Sequence, residues 1–137
     1  MNTPTNPTGK VFDHGKLDFF AGLIQKYDTY AICDEVYEHL IVDGVKHFPL
    51  FTLPGMAESA IRIGSAGKTF STISWKVGFL TMAPEMLSLV AKAHQFVAFT
   101  TASNLQRTVA HGLDNEQTWH TNLAMDLQAK RDRLKGA

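Results

Sequence analysis

Leu17, Phe20, Ala21, Ile24 and Tyr27 recur at helical spacing behind Asp13, a residue type that caps helix N-termini, and predict a helix from Asp13 to Lys26. The period then changes. Thr29 to Cys33 is an unbroken apolar run bounded by acids, the pattern of a strand covered on both faces. Ala60 to Ile63 and Val77 to Met82 predict a second buried strand and a third. Between the first two, Glu38 to Val42 reads as a short helical turn or strand, Asp43-Gly44 as a turn, and Pro54-Gly55 as a loop. From Pro84 the pattern is helical again, with Leu87, Val90, Ala91, His94 and Val97 on one face. A shorter helix is expected over Ser103 to Ala110, stopping near Gly112. A last one runs from Glu116, with Trp119, Leu123, Leu127, Lys130 and Leu134 as its stripe. No repeat or low-complexity segment interrupts this order, which is that of an α/β domain with a largely parallel or mixed sheet.

Length and composition narrow the class. The 137 residues suit one domain, and 45% hydrophobic residues can build a core. Thirteen basic and thirteen acidic side chains cancel, so nothing electrostatic points to nucleic acid or an acidic membrane surface. The single cysteine excludes an internal disulfide, and in its apolar run Cys33 reads as a small buried hydrophobe. No membrane-length apolar stretch or signal-peptide pattern is visible, and a cytoplasmic location is the expectation. Both ends look cut. The Pro- and Asn-rich opening turn lacks the strand that usually precedes such turns, and the final helical pattern has little after it.

The candidate chemistry gathers where strands end. In open α/β sheets, ligands collect outside the carboxyl ends of strands. Asn6, Asp34, Tyr37, Ser65 and Lys68 all fall at such ends or in the loops just after them. A lysine beyond a small-residue turn can present an amine to a carbonyl. An acid at a strand end can hold a proton on a pyridine nitrogen, and a phenol and an amide can donate to a phenolic oxygen. The hydroxyl and amides of Ser65-Ala66-Gly67 can form an anion nest, with Lys76 as an added point charge. Each residue alone also has an ordinary reading. Asp34 suits a salt bridge or cap, Tyr37 a packed aromatic, Asn6 a turn start, Lys68 a solvated charge, and Trp75 the core. The six histidines lack zinc spacing, so no metal is expected.

Read in order, NTPTNPTGKVF at 2–12, AICDEVYEHL at 31–40, LPGM at 53–56, IRIGSAGKTFS at 61–71 and WKVGF at 75–79 resemble class I/II, fold-type-I aminotransferases. HQFVAFTTASNLQ at 94–106 and LQAKRDRL at 127–134 extend the resemblance over essentially the whole chain. Within the family it is similar to the kynurenine, glutamine and methionine aminotransferase branch. The resemblance implies part of a large domain, a three-layer α/β/α arrangement with a mostly parallel sheet. It implies pyridoxal 5'-phosphate as cofactor, an amino acid and a 2-oxo acid as ping-pong substrates, and a homodimeric parent. It makes Lys68 the Schiff-base lysine and proton shuttle and pairs Asp34 with the pyridine nitrogen. Tyr37 and Asn6 go to the phenolic oxygen, Asn6 also to the substrate carboxylate, and Ser65 and Lys76 to the phosphate. Two departures stand out. Ser74 occupies a usual glycine position, a strain if that position needs positive φ or close approach of backbone to cofactor. The chain is also much shorter than family members and lacks their upstream phosphate loop, stacking aromatic and downstream carboxylate-binding arginine. Carbon–sulfur β-elimination with the same cofactor, an inactive truncated product, and a cofactor-free binding module are the competing expectations.

Overall fold

The computed structural model describes residues 1–136. Helix α1, His14–Lys26, begins where expected: Asp13 stands at its N-cap, and its carboxylate accepts from the Lys16 amide at 2.9 Å. Leu17, Ala21 and Ile24 on one face are buried. They meet Cys33, Leu50, Leu53, Met56 and Ala60 in the larger of two apolar clusters. The partners of α1 in this cluster come from three places. Strand β1, Ala31–Asp34, supplies Cys33; the short 3₁₀ turn Leu50–Thr52 and the loop after it supply Leu50, Leu53 and Met56; strand β2, Ala60–Ser65, supplies Ala60.

The sheet has three strands in the order β1-β2-β3, where β3 is Gly78–Thr81. β1 and β2 run parallel, with Asp34 opposite Ile63, and β3 returns antiparallel, with Gly78 opposite Ser65. Asn2 makes an isolated parallel bridge to Asp34 on the free edge of β1. The sheet is therefore mixed. Apolar runs mark strands but carry no direction, and the 12 residues between Ser65 and Gly78 turn the chain back rather than crossing over. β1 is also less covered than an unbroken apolar run suggests, since Ile32 is 59% exposed.

Helix α2, Ala66–Thr69, is a single turn directly after β2. Three longer helices follow β3: α3, Pro84–Val97, with Pro84 in its first turn; α4, Ser103–Asn115; and α5, Gln117–Lys135. α4 runs past the expected stop at Gly112. That glycine lies inside the helix with the Phe70 ring packed on it: a Cβ there would stand 3.0 Å from the ring. Val109 of α4 joins Ala66 and Val77 in the smaller cluster. Glu38 to Val42 is neither helix nor strand. A hydrogen-bonded turn occupies residues 36–39, with Glu38 N–H donating to the Glu35 carbonyl, and irregular chain follows. No helix among the described residues is long and apolar enough to cross a membrane.

Candidate active site

Two arms leave the sheet at the ends of β1 and β2. The first carries Asp34 and Tyr37. Asp34 closes β1, and its carbonyl accepts from the Thr3 amide and the Asn2 side chain, both at 3.2 Å. Those bonds fasten the opening segment along β1. The loop beyond is closed by Gly9 N–H donating to the Thr5 carbonyl at 2.6 Å and by Thr5 N–H donating to the Lys10 carbonyl at 2.9 Å. The result delivers Asn6 to the first arm: its Nδ2 donates to the Tyr37 hydroxyl at 3.1 Å. Having accepted that bond, the phenol keeps its own O–H for another acceptor.

The second arm carries Ser65, Gly67 and Lys68. Lys68 Nζ stands 5.5 Å from the centroid of the Tyr37 ring, within cation–π range. Ser65, Gly67, Lys68 and Lys76 line one cavity of about 280 Å³ with Ile73, Val77 and Gly78. Gly67 keeps that cradle open. A Cβ there would sit 3.2 Å from Ile73 Cα and 3.4 Å from the Ser65 hydroxyl. Lys76 reaches the cavity from a left-handed position, φ 55°, at the end of the 3₁₀ turn Ile73–Trp75. Ser74 sits within that turn and is not among the positive-φ residues, so no positive-φ strain arises there. Trp75 is a surface residue, not core. The turn packs on α2 through main chain near Ile73 and leaves the indole 36% exposed.

Asn6, Tyr37 and Lys68 thus form a chain of contacts, and Lys68 shares its cavity with Ser65 and Lys76. Asp34 belongs to this group through its strand. It is half-buried, three residues from Tyr37, and its carboxylate accepts from the Val36 amide at 3.4 Å. Cys33 behind it is 1% exposed, and burial, with the charge of Glu35, pushes its thiol up to about 11. Among the described residues no group of three or more His, Cys, Asp or Glu is placed to hold a metal ion.

One cluster beside the site was not visible in the sequence. Glu35 is fully buried, and one of its carboxylate oxygens accepts from both Arg62 Nε and His47 Nε2 at 3.1 Å. Arg62 Nη2 also pairs with the Glu38 carboxylate. These partners lie 12 and 27 residues from Glu35, beyond the reach of any local pattern.

The chain has counterparts among known proteins. The model of the family described as aminotransferase class I and II matches residues 1–137. The chain belongs to that family. It is 40% identical to kynurenine–oxoglutarate transaminase 3 of Bos taurus over 98% of its own length and 31% of that protein's. It is 39% identical to the probable N-succinyldiaminopimelate aminotransferase DapC of Mycobacterium tuberculosis, over 98% of this chain and 34% of that one. The solved N-succinyldiaminopimelate aminotransferase of M. tuberculosis superimposes with a TM-score of 0.95 at 38% identity, over 99% of this chain and 35% of that one. The chain spans about a third of the length of the curated relatives it matches. The fold is that of part of a fold-type-I aminotransferase, and enzymes of this family depend on pyridoxal phosphate.

Proposed function

We propose that these residues are the cofactor-binding heart of an aminotransferase that moves an amino group from an L-amino acid to a 2-oxo acid in two half-reactions. The observation that carries this reading is the run of contacts Asn6–Tyr37–Lys68, opening onto the cavity that Ser65, Lys68 and Lys76 share. The donor set fits pyridoxal phosphate. It offers an amine for an aldehyde, a phenol and an amide for a phenolic oxygen, an acid for a pyridine nitrogen, and a hydroxyl with a second amine for a phosphate. The space above Gly67 is space a side chain would fill.

When bound, pyridoxal phosphate supplies an aldehyde that takes up amines and a ring that accepts the electron pair released at the substrate α-carbon. The chain's own residues do the rest. Lys68 would hold the aldehyde through its Nζ, and the same amine, when free, would take a proton from the substrate α-carbon and return it at the other end of the transfer. Asp34 would hold a proton on the ring nitrogen, which would keep the ring an effective electron sink. The Tyr37 hydroxyl and the Asn6 amide would donate to the phenolic oxygen, and Asn6 also holds the phenol through its own bond to the hydroxyl. Ser65 and Lys76, which line one cavity, would hold the phosphate, and Asn6 would also serve the substrate carboxylate. The 137 residues form one partial domain, the cofactor-binding large domain of a longer homodimeric and cytoplasmic parent.

The test is an absorbance spectrum of the purified chain with added pyridoxal phosphate, before and after borohydride. A shifted visible band that reduction converts to a permanent label is expected, and Lys68→Ala should abolish both. Equal labelling of Lys68→Ala would refute the assignment.

A further inference from the structure

We infer that Arg62 is a positioning residue for this site: its guanidinium clips Glu35 to Glu38 and so holds the turn that presents Tyr37. The inference rests on the function proposed above for its link to the cofactor, and on geometry for the clip itself.

Tyr37 lies between the two acids. Its turn is tied by main-chain bonds from Glu38 N–H to the Glu35 carbonyl at 2.9 Å and from Leu40 N–H to the Tyr37 carbonyl at 2.8 Å. Such a turn has few restraints of its own, and a phenol that must meet a ring atom needs its backbone fixed. Arg62 supplies the restraint from the next strand. It lies on β2 opposite Cys33, one residue before the partner of Asp34. Its Nε reaches Glu35 at 3.1 Å while Nη2 engages Glu38. A planar guanidinium can serve two carboxylates at once, and a lysine ammonium on its flexible stem cannot copy that fork.

Burial makes the clip consequential. A buried carboxylate is costly unless paired. Glu35 is fully buried, and its second oxygen, Oε1, has no hydrogen-bond partner, as His47 Nδ1 has none. The pairing of Glu35 therefore falls on Oε2, which Arg62 and His47 share. Arg62 is also three residues before Ser65 and six before Lys68 on the same run of chain. One side chain thus ties the arm bearing Tyr37 to the strand that leads into the arm bearing Lys68.

The test uses the 137-residue chain with Arg62→Lys and, as a milder change that leaves the buried Glu35–Arg62 pair intact, Glu38→Gln. Amide hydrogen exchange is compared between residues 35–40 and α1. Pyridoxal phosphate is then titrated by absorbance, and the pH midpoint of the visible band is recorded. Arg62→Lys should lower protection at 35–40 about tenfold with α1 unchanged, as loss of one charge-assisted bond implies. It should weaken pyridoxal phosphate binding by roughly the same factor, and raise the pH midpoint, because the phenol no longer meets its acceptor. Glu38→Gln should move all three readings the same way by less. Unchanged protection at 35–40 overturns the clip. Lost protection with an unmoved midpoint and affinity overturns the positioning role and leaves Arg62 merely structural. A wild-type chain that gives no band overturns the function proposed above, and the positioning role with it.

Discussion

The residues up to Ser65 and the helices after β3 are built to different standards. In the first region, eight buried side chains from α1, the sheet and the Leu50 turn close on one another, so each strand that carries a site arm is anchored from beneath. The second supplies one buried residue, Val109 of α4, to the smaller cluster with Ala66 and Val77, and among the described residues neither α3 nor α5 contributes to it. α3 presents Leu89, Phe96 and Val97 at 66%, 87% and 85% exposure. α5 is attached mainly by polar contacts. Trp119 Nε1 donates to the Thr69 carbonyl at 3.1 Å, Arg131 grips Asp43 through two bonds of 2.6 Å, and His120 stacks on His39 at 4.2 Å. The lesson concerns the site. Asp34, Tyr37, Ser65 and Lys68 depart from the well-packed region, while Lys76 stands between the two. The phenol and the acid rise from the well-packed side, whereas α2, which carries Lys68, also leans on the later helices through Ala66 against Val109 and the Thr69 carbonyl bonded by Trp119.

That contrast can be broken at its strong side first. Leu17→Ala, in a fully buried position, should destabilise the chain by about 2–5 kcal/mol in urea unfolding, since it leaves a cavity in the larger cluster. A loss below ~1 kcal/mol would mean that the two regions do not differ as described.

Acid tests the junction between the regions. His39 is pushed down to about 4, first by burial and then by the neighbouring His120 and His47. Its folded pKa lies below its ordinary value of 6.5, so the unfolded chain binds the extra proton first. Stability from the neutral His39–His120 stack is therefore present above pH 6.5 and is lost as pH falls toward about 4. The loss should be on the order of 2 kcal/mol in denaturant midpoints compared across that window, and His39→Gln should flatten the dependence. A steeper fall in the variant would contradict this origin.

Smaller effects sharpen the picture. Asp13→Ala removes the cap of α1 and should cost about 1 kcal/mol by the same measurement. Leu89→Ser on α3 should stay within about 0.5 kcal/mol, because the side chain it removes is already in water. A large loss there would show that α3 is packed in solution.

How much of this was legible in the chain follows from the range of each signal. α1 and its Asp13 cap are local, and the sequence pattern predicted both. The three strands were also marked by apolar runs, although their ends shifted by a few residues. The direction of β3 was not marked, since a run of Gly, Phe, Leu and Thr reads alike from either end. Gly112 misled because a glycine that ends a helix and one that admits a ring look the same until Phe70 is placed beside it. Trp75 misled because an indole is usually buried, and here the residue sits at a surface turn, 36% exposed and outside both apolar clusters. The site's residue types were legible at strand ends; their convergence needed the fold. Arg62, Glu35, Glu38 and His47 had no signal, because two buried polar atoms meeting across a sheet leave no periodicity behind.

The proposal that Lys68 is the amine of the site is tested most directly by locating the label. Borohydride reduction of the chain saturated with pyridoxal phosphate, followed by peptide mapping, should place the modification on the peptide containing Lys68. Lys76, which lines the same cavity, should remain free. A label found on Lys76, or spread over surface lysines with Lys68 unmodified, would contradict the account.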